Sequence, residues 1–275
     1  LFREPTEYML LAIDSGNTNI VFALYEGEKQ RGEWRRANDY RRTADEYGVW
    51  LLQLMALAKL HPEDVDAAII ATVVPDTLFS LKGLCANYFQ VDPLVVGDPG
   101  VELGIQALVD TPESVGADRL VNAVAAHEKY GGPLIIVDFG TATTFDVIDE
   151  NGNYVGGAIA PGINLSIEAL HRAAAMLPRV SVQRPATVIG KRTEPAMHSG
   201  IYWGYVGLIE GLVTRIRAEY GVDMRVIATG GLAPLFEAAT DAIGLVDSDL
   251  TLRGLVSIQA RNVPAGNSFV RNASA

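Results

Sequence analysis

Sulfur and imidazole are scarce in this 275-residue chain, which has one cysteine, Cys85, and four histidines, His61, His127, His171 and His198. A lone cysteine closes no internal disulfide, and the histidines lack metal-ligand spacing, so a cytoplasmic, zinc-free protein is expected. Positive charge is short too. Twenty-two Lys and Arg stand against 33 Asp and Glu, a formal net charge of −11. That balance opposes a nucleic-acid backbone or an anionic bilayer, so neither is expected as a partner, and an anionic ligand must be held by local geometry. No apolar run approaches membrane-spanning length. The opening LFREPTEY lacks the layout of a signal peptide, and Met9 is the expected original start, with residues 1–8 an extension. Neither GxxxxGK[ST] nor GxGxxG occurs, which removes the usual support for a P-loop or dinucleotide fold. What remains, 49% apolar and 20% charged residues, is ordinary globular composition for one large or two smaller domains.

The chain repeats itself. LLAIDSGNTNIVFAL (10–24) and LIIVDFGTATTFDVI (134–148) share one plan: an apolar run, an Asp, a Gly two residues later, a Thr and a second apolar run. A weaker echo pairs AAIIATVVP (67–75) with RVIATGGLAP (225–234) in the same order. Two echoes in matching order predict a duplicated domain. The boundary is placed near Gly131 and Gly132, giving halves 9–131 and 132–262.

Between the echoes the periodicity turns helical. Thr43 and Glu46 form a capping box ahead of Tyr47, Trp50, Leu51, Leu54 and Leu57. Residues 117–130 present Leu120, Val121, Val124 and Ala125 on one face, with Gly131 as the stop. Further helices are predicted within 161–178 and 195–221, the latter marked by Met197, Ile201, Leu208, Leu212 and Ile216. Strands are predicted at 21–25, 67–73, 134–138, 143–148 and 225–229, and Gly152, Gly156 and Gly157 punctuate a hairpin. The class is α/β.

Four segments carry polar groups in patterns that suit chemistry. DSGNTN (14–19) places a carboxylate at a strand end before a tight turn whose backbone N–H groups, Asn and Thr side chains converge. Such a turn holds phosphate without net positive charge, and the carboxylate suits Mg²⁺ or its waters; an ordinary hairpin turn has the same composition. DFGTATT (138–144) repeats the device with Asp138 and three threonines, a second carboxylate for a cation, although threonine also favours strands. VGADR (115–119) puts Asp118 and Arg119 at a helix start, where they form either a general base and a carboxylate clamp or a helix-end ion pair. ATGGLAP (228–234) has Gly230 and Gly231 where an adenine or ribose approaches the backbone, or where a strand packs tightly into a helix. His171 and His198 read as packing or surface residues, Cys85 as core, and Tyr202, Trp203 and Tyr205 as helix core or interface.

In this order, DSGNTN, VGADRLVNAVAA, IIVDFGTATTFDVID, GGAIAPGI, PRV with VIGKRT, SGIYWGYVGLIEG and VIATGGLAP resemble the type III pantothenate kinases of bacteria, from Met9 to about Asn262. The resemblance implies duplicated ribonuclease-H-like (actin-like ATPase) domains with a nucleotide cleft between them, and ATP-dependent phosphorylation of pantothenate, the first step of coenzyme A biosynthesis. It implies an ATP-phosphate loop of Asp14, Ser15, Gly16, Asn17, Thr18, Asn19, Ile20 and Val21, with Asp14 near Mg²⁺. Gly116, Ala117, Asp118 and Arg119 become the pantothenate segment, with Asp118 as proton acceptor and Arg119 on the substrate carboxylate. Asp138 is implied to bind a monovalent cation, K⁺ or NH₄⁺, and Thr141 to contact ATP. Thr193 matches a substrate-contacting threonine that a homodimer brings in at its interface.

One departure stands out. Similar sequences often carry an aromatic residue before VGADR, where this chain has Leu108 and Val109. Two rival readings remain: another small-molecule phosphotransferase of the same superfamily, and a nucleotide-binding regulator without turnover.

Overall fold

The computed structural model describes residues 8–174 and 177–263; the extension expected at 1–8 falls almost wholly outside them. Two compact units share one plan. In the first, β1 (Met9–Ser15), β2 (Asn19–Glu26) and β3 (Lys29–Ala37) form an antiparallel meander. β4 (Val65–Thr72) joins β1 in parallel and β5 (Leu94–Val95) joins β4, in the order β3-β2-β1-β4-β5. In the second, β6 (Leu134–Phe139), β7 (Ala142–Ile148) and β8 (Tyr154–Pro161) repeat the meander, and β9 (Arg225–Thr229) and β10 (Leu245–Val246) repeat the parallel additions, in the order β10-β9-β6-β7-β8. Both sequence echoes fall on equivalent strands.

Helices cover both faces of the first sheet, which is why β1 reads as a continuous apolar run. Alternate residues divide between the faces. Leu11, Ile13, Ile20 and Phe22 pack with α1 (Ala44–Leu57) and α2 (Pro75–Leu84), while Leu10, Ala12, Val21 and Ala71 pack with Val121 and Val124 of α3 (Ala117–Tyr130) and with Leu255 and Ile258 of α7 (Leu250–Arg261). In the second unit Ile135, Val137 and Phe145 pack with Ile163 and Ile167 of α4 (Ile163–Ala173), Tyr202 and Ile209 of α5 (Thr193–Tyr220), and Phe236 of α6 (Ala233–Glu237).

The Thr43 capping box forms as expected, with the Glu46 N–H donating to Thr43 Oγ1 and Glu46 Oε2 accepting from the Thr43 N–H. Leu57, however, is 81% exposed; α1 buries Tyr47, Gly48, Leu51 and Met55 instead. The buried stripe of α5 is likewise displaced to Tyr202, Val206, Ile209 and Val213, leaving Ile201, Leu208, Leu212 and Ile216 half-buried. Cys85 lies in the core, where burial raises its thiol to about 12, an inert state. His171 Nδ1 bonds the Leu177 carbonyl, and buried His198 bonds Gln183.

Compactness draws the units otherwise than at 131/132. The first takes residues up to 106, 110–125 and α7; the second takes 107–109 and 126–249. The physical reasons are local. α7 places its apolar face with that of β1, and the 107–109 segment pairs beside β8, the Leu108 N–H donating to the Tyr154 carbonyl at 2.7 Å. Gly254 is where α7 needs the smallest residue, because a Cβ there would stand 2.2 Å from the Val121 carbonyl oxygen of α3. Gly254→Ala is therefore expected to cost about 1–3 kcal/mol in urea unfolding despite the better helix propensity of alanine. An unchanged midpoint would show that α7 does not pack this closely.

Candidate functional site

The end of β1 positions the first carboxylate. Asp14 is opposite Val21 on β2 and Ala71 on β4, so it emerges on the α3 face just beyond the core formed by those two residues. The turn that follows is held from inside. The Gly16 N–H donates to the Asn19 carbonyl, and the Val73 N–H to the Ser15 carbonyl. Asn38, at the exit of β3, donates from Nδ2 to the Gly16 carbonyl at 2.6 Å and from its backbone N–H to the Thr18 carbonyl at 2.8 Å. Ser15 is 1% exposed, and its hydroxyl lies 3.0 Å from that of Thr77.

These contacts sort the expected loop residues. Asn17, Thr18 and Asn19 are exposed at the tip. Ile20 and Val21 bury their side chains on opposite faces of the sheet, and Ser15 is spent on Thr77, so only the backbone of these three is left for a ligand. Asn38 and Thr77 were not legible as site residues. Each lies far in sequence from the turn it braces, in a segment without a motif.

The start of α3 positions the second carboxylate. Asp118 Oδ1 accepts the Arg119 backbone N–H at 2.8 Å. A Cβ on Gly116 would stand 2.6 Å from that same oxygen and 3.4 Å from Val73 Cγ1. Glycine is thus the residue that leaves the carboxylate its place. The VGADR and DSGNTN segments come together here: burial first, then the charge of Asp118, push the Asp14 carboxyl up to about 7, with Arg35 pulling it down. Burial also raises Asp118, against the opposing N–H and charge of Arg119. Two half-buried carboxyl groups repel each other here, and the charges of Arg35 and Arg119 do not cancel the effect of their burial. That arrangement fits a cation. Among the described residues no three His, Cys, Asp or Glu side chains converge as a metal cage, so an ion at this place would take part of its ligand shell from elsewhere.

In the second unit Asp138 occupies the register position that Asp14 has in the first. Its neighbours are Thr144 on β7 and Thr229 on β9. The DFGTATT and ATGGLAP segments meet at this carboxylate, because Gly230, at φ +87°, would with a Cβ stand 2.6 Å from Asp138 Oδ1. Gly230 serves Asp138, while Gly231 faces open space. The Gly140 N–H donates to the Ala142 carbonyl, and exposed Thr141 lies on the turn they close. Gly162, capping α4, packs so closely on this turn that a Cβ would meet the Thr141 carbonyl oxygen at 2.1 Å. Thr193 is exposed at the start of α5, beside a groove of about 700 Å³ lined by residues 187–192 and Pro195. Leu108 is exposed and Val109 half-buried beside β8.

The raised Asp14 carboxyl makes a prediction about stability. The unfolded chain ionises this group from about pH 4, the folded chain only near 7. Between those values the folded state binds more protons, so this group's contribution to stability falls as pH rises from about 4 to 7 and stays low above that. Asp14→Asn removes the penalty. In thermal unfolding without nucleotide or divalent ion, the variant is expected to melt several degrees above the parent at pH 8 and to converge with it near pH 4. A gap that does not change with pH would show that the carboxyl is not held neutral.

Comparison with known proteins agrees with the motifs. The type III pantothenate kinase family model matches residues 10–215. A type III pantothenate kinase of Rhodospirillum rubrum is 69% identical over 93% of this chain and 100% of its own length. One of Paramagnetospirillum magneticum is 67% identical over 92% and 98%. Among solved structures, a putative 2-dehydro-3-deoxygalactonokinase from Sinorhizobium meliloti has a TM-score of 0.62 at 13% identity, covering 97% of this chain and 99% of that one. A conserved putative Baf family transcriptional activator from Campylobacter jejuni has a TM-score of 0.59 at 18% identity, covering 92% and 98%. At those identities the structures speak for a shared sugar-kinase-like α/β fold alone. The two bacterial relatives, matched nearly end to end, and the family model that spans both aspartate hairpins and the Asp118 helix place this chain in the type III pantothenate kinase family.

Proposed function

We propose that this protein transfers the γ-phosphoryl group of ATP to the primary hydroxyl of pantothenate, opening coenzyme A biosynthesis, with Asp118 as the base. The observation that carries this reading is the juxtaposition of Asp118 with Asp14 at the DSGNTN turn, in a chain of this family. A carboxylate raised by burial is a better base near neutral pH than a solvated one. The hydroxyl oxygen forms its bond to the γ-phosphorus as the bond to the bridging oxygen breaks, and the hydroxyl proton passes to Asp118. Arg119 reads the carboxylate of pantothenate in two-point fashion, and Thr193 is a further substrate contact, supplied across a homodimer interface.

Asn17, Thr18, Asn19 and the backbone of 14–21 cradle the phosphates, and Thr141 adds a contact to ATP. Asp14 would hold Mg²⁺ together with phosphate oxygens, and the ion supplies charge neutralisation when bound. Asp138, flanked by the hydroxyl-bearing Thr144 and Thr229, would hold K⁺ or NH₄⁺.

Asp118→Asn is expected to lower kcat at least a hundredfold while leaving ATP affinity within about twofold. The assay is pantothenate-dependent ADP release, with phosphopantothenate identified by mass. Turnover that survives the substitution would remove Asp118 as the base, and turnover with a different hydroxyl compound alone would redirect the substrate. The cation assignment has its own test. Activity in K⁺ or NH₄⁺ should exceed that in Na⁺ alone, whereas equal rates in the three salts would take the site away from Asp138.

A further inference from the structure

We propose that Arg35 is a phosphate-binding residue of this enzyme, a cationic contact for the polyphosphate of ATP. The inference rests on the reading of DSGNTN as the loop that takes those phosphates. Strand register carries it. Asp14 is opposite Val21, and Val21 is opposite Arg35. Directly opposed residues project from the same face of a sheet, so Arg35 rises on the Asp14 side, two strands or about 10 Å away. A long side chain covers much of that gap.

The residues on either side of Arg35 confirm the facing. Trp34 packs with the α1 and α2 core, and the Arg36 guanidinium lies over the rings of Tyr47 and Trp50, 5.3 and 4.8 Å from their centroids. Both therefore project from the opposite face. The remaining arginines near this corner are occupied. Arg31 pairs with Glu26, Arg41 with Asp39, and Arg42 with Glu46. Among the described residues the ion pair of Arg35 is a loose one, Nη2 to Glu33 Oε1 at 3.9 Å, with its side chain 57% exposed. A pair of that kind contributes little and is readily exchanged.

Electrostatics gives the residue a task. The chain carries a net charge of −11, its phosphate turn has no lysine, and two carboxylates already stand beside the turn. A triphosphate adds further negative charge at the same place. The positive charge of Arg35 acts on Asp14 from across β2, and a guanidinium binds phosphate oxygens through two parallel N–H bonds. Sequence reading passes over it, because EWRRANDYRR looks like a solvated, charged edge strand.

Arg35→Gln and Arg35→Lys test the proposal in the full-length protein, with MgATP binding followed by calorimetry, kinetics with each substrate varied, and thermal unfolding. For Arg35→Gln a rise in the Kd for MgATP and a fall in kcat/KM for ATP of about tenfold or more are expected. The KM for pantothenate should stay within about twofold and the melting point within about two degrees, as suits an exposed position. Arg35→Lys, which keeps the charge and loses the fork, should recover part of the loss. ATP binding and turnover within twofold of an active parent would overturn the role of Arg35 alone. A parent that does not bind ATP would overturn the phosphate-loop reading and the proposal together, and a loss confined to pantothenate would overturn the assignment to phosphate.

Discussion

Two carboxylates at one corner of the first sheet are the constraint on which the rest depends. Asp14 leaves the central strand β1 where Val21 and Ala71 end the core, and Asp118 enters from the first turn of α3. Arg119 beside Asp118 and Arg35 across from Asp14 offset their burial only in part, and the charge of Asp118 makes ionisation of Asp14 less favourable. Such a corner costs stability, and it suits a cation and a phosphate chain, which would turn the repulsion into binding. The strand beneath is fully packed: Leu10, Leu11, Ala12 and Ile13 have no exposed surface, so the corner rests on a filled core.

Glycine makes the geometry possible at both aspartate sites. Gly116 leaves room for the Asp118 carboxylate, and Gly230 leaves room for that of Asp138. In each case a methyl group would fall within 2.6 Å of an oxygen of the carboxylate. Close approach is the reason at Gly116, and at Gly230 a φ of +87° adds a backbone conformation that favours glycine. Gly162 follows the same logic one step removed, locking the 140–142 turn against the start of α4.

Much of this was legible in the chain. The duplication was visible because equivalent strands of both halves kept the same apolar run and the same aspartate, and the Thr43 capping box and the Gly131 stop bounded their helices as read. Other features were hidden by physics that sequence does not display. Apolar residues at α5 spacing suit two adjacent stripes, and only packing against β6 and β7 selects Tyr202, Val206, Ile209 and Val213. The place of α7 in the first unit depends on contacts made by Gly254 and Leu255 with residues more than a hundred positions away. Ser15 looked like a ligand donor and is a brace, because strand alternation turns it towards Thr77. Asn38 reaches the turn by hydrogen bonds and Arg35 is brought to the Asp14 face by strand register, and no local motif announces either.

The two halves surround the same position differently, as the in-register neighbours show. Asp14 stands between Val21 and Ala71; Asp138, at the equivalent place, stands between Thr144 and Thr229. Aliphatic neighbours give a carboxylate nothing to bond with, so Asp14 is driven towards its neutral form and answers strongly to an arriving charge. Hydroxyl neighbours offer oxygen atoms that can share a weakly hydrated monovalent ion with the carboxylate. One residue on the hairpin partner and one on the parallel neighbour separate these environments while the aspartate keeps its register position. The two halves place an aspartate at the same register position, and the pairs flanking it give one aliphatic and the other hydroxyl surroundings, which suits the phosphate and cation roles proposed for them.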